Sequence, residues 1–128
     1  MNTEVIYNSD LHFEHLQWKR ELLFWKDEIK SFQNRIKEIM DRWTDSMVLA
    51  ELGQFQHRFG EEEHNINDLI REIDEHEDSI SEHLKNNEDC IDRVLLKSHN
   101  DFRYNLSSER DIYNNLKDRF YKFLEKYL

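Results

Sequence analysis

Between Leu11 and Trp43 an apolar residue recurs at every third or fourth position without a lost step. Leu11, His15, Trp18, Leu22, Trp25, Ile29, Phe32, Ile36, Ile39 and Trp43 form the series, and His15 is its one polar member. Alternating steps of four and three put all ten on one narrow stripe of an α-helix, the seam of a coiled-coil-like pack. A helix of about 50 Å with such a seam cannot stand alone in water. The rest of the chain must supply helices to cover it.

It does so twice. Val48, Leu52, Phe55, Phe59, Glu62, Ile66, Leu69, Ile73, His76, Ile80 and His83 keep the same step. So do Leu95, His99, Phe102, Leu106, Glu109, Tyr113, Leu116, Phe120, Phe123 and Tyr127. Thr44, Asp45 and Ser46 interrupt the first pair and offer side-chain oxygens as N-caps. Asn8, Ser9 and Asp10 do the same before helix one, after a short arm. Lys85 to Asp89, with Asn86 and Asn87 at its centre, reads as the second turn. The expected fold is all-α: one domain over 1–128, an antiparallel up-down-up three-helix bundle with helices at about 9–43, 46–85 and 90–127. Its core is led by Trp18, Trp25, Phe55, Phe59, Phe102 and Phe120. Ser107 and Ser108 are a weak spot that the seam crosses in phase.

Gly53 and Gly60 sit seven apart within helix two, and each costs up to about 1 kcal/mol of helix propensity. The seam stays in phase across Gly60, which favours one continuous helix, bent there at most, over a break and a fourth helix. Close approach to the Trp residues of helix one is the expected reason for both glycines.

The chain has no Pro and only these two Gly, so it lacks the turn residues of an all-β fold. Charged residues make up 36% and apolar ones 38%, a composition of amphipathic helices. The formal net charge is −10. Glu61 to Asp92 holds thirteen acidic and two basic residues, or −11, leaving +1 for the remainder. Such a surface repels phosphate backbones and anionic lipid, which argues against nucleic-acid and membrane partners. No run approaches a membrane span and no signal-peptide pattern opens the chain, so a cytoplasmic location is expected. Cys90 is the single cysteine, and Glu88, Asp89 and Asp92 around it disfavour a reactive thiolate.

In seams this regular the polar members stand out: His15, Glu62, His76, His83, His99 and Glu109. A turn centred near residue 45 sets His15 opposite residues 75 or 76, and one near residue 88 sets His76 opposite 99 to 101. His15, His76 and His99 therefore fall in one layer, one from each helix. Three converging imidazoles are the ligand set of a zinc or other divalent transition-metal site. His12 and Glu72, one helical turn from His15 and His76, are expected to add a ligand or to orient one. The competing reading is a hydrogen-bonded polar layer that sets helix register.

Other constellations carry less. His57, Glu61 and His64 share a stripe that faces solvent. Glu61-x-x-His64 is the sole Glu-x-x-His, where a di-iron carboxylate bundle needs two, and no His-x-x-x-His pair supports a hemerythrin-like site. Phosphate loops, serine nucleophile motifs and dinucleotide fingerprints are missing, which argues against an enzyme. The run Leu11-His12-Phe13-Glu14-His15, followed by a long Trp- and Phe-containing helix, resembles a group of short, uncharacterised bacterial helical proteins. That resemblance implies a helical fold and no activity.

Two function classes remain. One is a non-enzymatic interaction or scaffold module that binds a protein partner or itself. It would use the acidic half of helix two, or an apolar stripe of Leu23, Phe24 and Met40 beside the seam of helix one. The other is metal binding by the histidine layer.

Overall fold

A computed structural model describes residues 8–85 and 93–127. Three helices account for them: α1 (Asn8–Arg42), α2 (Ser46–Lys85) and α3 (Arg93–Tyr127). The expected arm before helix one, the centre of the second turn and Cys90 lie outside the described residues, as does the side chain of His83. α1 begins at Asn8, so the residues expected to cap it belong to the helix itself. α2 is capped as its sequence suggests: Asp45 Oδ1 accepts from the backbone N–H groups of Met47 and Val48, at 2.8 and 3.2 Å.

Cross-helix contacts give the topology. His15 meets Glu77, Lys19 meets Asp74 and Gln33 meets Gln56, so numbers rise on α1 as they fall on α2. Phe102 lies against His76, and Phe120 against Phe59, which sets α2 and α3 antiparallel as well. α1 and α3 consequently run parallel. The fold is an all-α, up-down-up three-helix bundle.

The seams face inward. Leu22, Ile29, Ile36, Leu52, Phe59, Ile66, Tyr113 and Phe120 are fully buried, and Trp18 and Trp25 nearly so. Phe32, Phe55, Phe59 and Phe120 meet ring to ring at 5.2–5.4 Å in the half of the bundle nearer the α1–α2 connection. Phe55, expected among the leading core residues, is only half-buried, at the edge of this cluster. Met40 packs against the core, and so leaves the stripe proposed with Leu23 and Phe24. The latter two are 44% and 60% exposed.

Parallel α1 and α3 carry a ladder of ion pairs that periodicity of apolar residues does not reveal. Glu14 pairs with Arg103, Glu21 with Arg110 and Glu28 with Lys117, at 2.6, 2.7 and 3.2 Å. Each pair spans the same 89 positions in sequence. Part-exposed pairs of this kind contribute about 0–1 kcal/mol each. Their value here is that one common offset satisfies all three. Tyr113, fully buried, donates its hydroxyl to Glu28 at 3.0 Å and so ties the lowest rung to the core.

Glu62 and Glu109, the two acidic seam members, meet between α2 and α3. Burial and the hydrogen bond to Glu109 push the Glu62 carboxyl up to about 8. Glu62 is thus protonated at neutral pH, while Glu62 Oε2 and Glu109 Oε1 lack a hydrogen-bond partner.

The helix runs unbroken through Gly60, and through Ser107 and Ser108. The reason expected for the glycines is overturned. A Cβ built on Gly53 or Gly60 meets nothing within 4 Å, so no Trp or other side chain approaches either one. They border an open groove on the outside of α2 with Gln56, His57 and Glu61. Replacing Gly60 with Ala is therefore expected to stabilise the bundle by up to about 1 kcal/mol, read from denaturant midpoints at unchanged slope. A loss of stability would show that the position needs a glycine after all.

Candidate metal centre

One run of α1 supplies half of the site. His15 lies on the seam and points into the bundle, at 1% exposure. Glu14, one residue earlier, leans toward α3, and His12, one turn earlier, leans toward α2. α2 presents His76 and Glu77, and α3 presents His99 with Arg103 one turn further on. His99 is 2% exposed.

These groups form a continuous polar chain across the bundle. Glu77 accepts from Nδ1–H of His15 at 2.6 Å through one oxygen, and from Nδ1–H of His12 at 2.6 Å through the other. Nε2–H of His99 donates to Glu14, whose carboxylate also takes two bonds from the Arg103 guanidinium. Between the two imidazoles, His15 Nε2 stands 3.1 Å from His99 Nδ1.

The proton assignment follows from the partners. Carboxylates only accept, so each outer nitrogen must carry the hydrogen. Arg103 and His99 hold the Glu14 carboxyl below its ordinary range against the opposing effect of burial, so Glu14 is ionised. Burial pushes His15 and His99 down as well, outweighing the bonds to Glu77 and Glu14. Neutral imidazoles protonated on their outer nitrogens are left with lone pairs on the inner ones. The two inner nitrogens stand at hydrogen-bond distance, a contact that a proton on either one, or a cation, satisfies.

Aromatic rings hold the imidazoles in place. Trp18 stacks on His99 at 4.7 Å and lies 5.5 Å from His15, while Phe102 lies edge-on to His76 at 5.8 Å. The His76 ring is 5.8 Å from that of His15. His15, His76 and His99 together line a cavity of about 10 Å³. Its remaining wall is Leu11, Ile80, Leu95 and Ser98.

The structure thus brings His15, His76 and His99 into one layer. His12 reaches the layer only through Glu77, and it is exposed. Glu72 does not take part: it is exposed on α2, and the carboxylate facing His15 is Glu77, which follows His76 directly. A step of one residue turns a helix by about 100° and carries Glu77 toward α1, whereas Glu72 lies a full turn further along. Glu14, Glu77 and Arg103 were missed by the seam reading, being off the apolar stripe. The one sequence signal for them is that Glu14 and Glu77 directly neighbour seam histidines. His57 and His64 are exposed, and paired with Glu61 and Asp68 on their own helix. Among the described residues, no group of three or more His, Cys, Asp or Glu side chains is placed so that it could hold a metal ion.

No protein-family profile, curated protein or solved structure matches the chain. Function has to be argued from this geometry.

The buried imidazoles make a prediction about acid. Their folded pKa values lie below the unfolded value of about 6.5, so their contribution to stability is complete above that pH. It is lost as pH falls from about 6.5 toward the folded values, because the unfolded chain takes up the protons first. Glu62 acts oppositely, its raised pKa costing stability as pH climbs from 4.5 toward about 8. In a Glu62→Gln background, urea unfolding should therefore show stability falling once pH drops below about 6.5. A decline that begins only in the carboxylate range would contradict this description of the layer.

Proposed function

We propose that this protein binds one divalent transition metal in the core of its bundle, through His15 Nε2, His99 Nδ1 and a nitrogen of His76. The observation that carries the proposal is the pair of inner nitrogens, 3.1 Å apart, with both outer nitrogens committed to carboxylates. Two imidazole nitrogens bound to one tetrahedral zinc, at 2.0–2.1 Å each, stand about 3.3 Å apart. The pair is already near that edge length, and Glu77 and Glu14 play the part of carboxylates that fix tautomer and raise ligand basicity. His76, which lines the same cavity with its ring 5.8 Å from that of His15, would supply the third nitrogen. His12 steadies Glu77. Imidazole donors suit zinc, cobalt, nickel, copper and iron(II) alike.

The competing occupant of the gap is a proton. It would make the layer a register-setting hydrogen-bond chain with no ligand. The two separate on titration with zinc. A metal site predicts a rise in melting temperature, equivalent to about 2.7 kcal/mol at a hundredfold excess over Kd, and loss of that rise in His76→Ala. His76 is half-buried and outside the bonded chain, so its removal leaves the fold intact. Zinc without effect on the wild-type protein, together with no bound transition metal in protein purified without an affinity tag, would leave the proton as the occupant.

A second reading is favoured by a separate surface. Phe13, Leu16, Leu23 and Phe24 lie along one outer face of α1, at 63, 41, 44 and 60% exposure. An apolar stripe of this kind supports the interaction-module reading, with a protein partner or self-association through α1. Light scattering across a range of concentrations should then show association that Phe24→Glu abolishes. A wild-type protein that stays monomeric throughout removes the case for self-association.

A further inference from the structure

Resting on the interaction-module reading above, we infer that two copies of this chain pack face to face and antiparallel along the groove between α2 and α3, the cations at one end of each groove meeting the carboxylates at the other end of its twin. The groove is a row of three open hollows of about 410, 160 and 350 Å³, each lined from both helices. Phe55 and Phe123 line the first, Leu116 the second and Leu69 the third. Ile112 borders the middle one, 54% exposed on α3. This face is separate from the apolar stripe of α1.

The charges along the groove are sorted. Phe59 lies against Phe120 and His76 against Phe102, so Arg58 shares a height with Arg119, and Asn65 with Ile112. Arg58, Arg119 and Lys122 stand at the end nearer the α1–α2 connection. Of the carboxylates there, Glu61 is taken by His57, and Glu51 is outnumbered. Glu72 and Glu75 continue the groove stripe of Asn65 and Asp68 on α2, and Asp101 continues that of Asn105 and Ser108 on α3. Arg58, Arg119, Lys122, Glu72, Glu75 and Asp101 are all exposed, and among the described residues none of them enters an ion pair.

A two-fold axis crossing the groove at Asn65 and Ile112 matches these charges. Arg58 and Glu72 lie seven residues to either side of Asn65, and Lys122 and Asp101 ten and eleven to either side of Ile112. The axis therefore brings Arg58 of each copy to Glu72 of the other, and Lys122 to Asp101, with the two Ile112 side chains at the centre. Each pair occurs twice, as in any isologous contact. A uniformly acidic partner would fit the cation end and be repelled by the carboxylate end, so the second copy is the better match.

Light scattering at low salt should show a dimer that weakens as salt is raised. Arg58→Glu with Lys122→Glu should raise the dissociation constant at least about tenfold, and adding Glu72→Lys and Asp101→Lys should restore it. All four positions are exposed, so helical circular dichroism should not change. Phe24→Glu, on the α1 stripe, should leave the dimer intact. A wild-type protein that is monomeric at every concentration overturns this inference together with self-association. A dimer indifferent to the charge reversals but lost in Phe24→Glu overturns this inference alone and leaves the α1 reading standing. A folded fourfold variant that stays monomeric overturns the antiparallel pairing.

Discussion

Helices with a seven-residue apolar repeat can slide past one another by whole repeats and still bury their seams. What prevents that here is polar. Glu14, Glu21 and Glu28 on α1 meet Arg103, Arg110 and Lys117 on α3 at one shared offset. A slip of seven leaves a charge unpaired at each end of the ladder, and it would separate His15 from His99 in the core. Burial of Leu22, Ile29, Phe59 and Phe120 makes the bundle stable. The ladder and the buried polar layers make it one bundle.

The two polar layers do this differently. Glu62 meets Glu109 through a hydrogen bond, and with burial this pushes the Glu62 carboxyl up to about 8, so that Glu62 stays uncharged at neutral pH. Their unpartnered oxygens are the cost of that solution. The histidine layer is anchored at both ends by carboxylates, and at its centre the two rings meet nitrogen to nitrogen at hydrogen-bond distance. A proton there closes a register-setting chain of hydrogen bonds, and Glu77 and Glu14 hold the outer nitrogens of the two rings.

The exposed face of α1 lies outside this logic. Phe13 and Leu16 stand in the same turns that deliver Glu14 and His15, so the site and the apolar stripe occupy opposite sides of one helical segment. Anything that covered the stripe would also brace the helix that holds the layer. That links the two functional readings physically, although different observations support them.

Local pattern alone determined the helices, their order and the inward face of each, because a 3.5-residue seam permits little else. It also placed His15, His76 and His99 at one height, since short turns between antiparallel helices leave only a few residues of freedom. Only the tertiary structure could decide what flanks that layer. Glu77 rather than Glu72 faces His15, and Glu14 with Arg103 holds His99. Those residues sit off the seams, where periodicity carries no information about which neighbour they meet. The glycines teach the same lesson: their spacing suggested close packing, yet Gly53 and Gly60 face open space. A stripe is legible in sequence because burial repeats along a helix, whereas a partner is set by the rotation of one helix against the next.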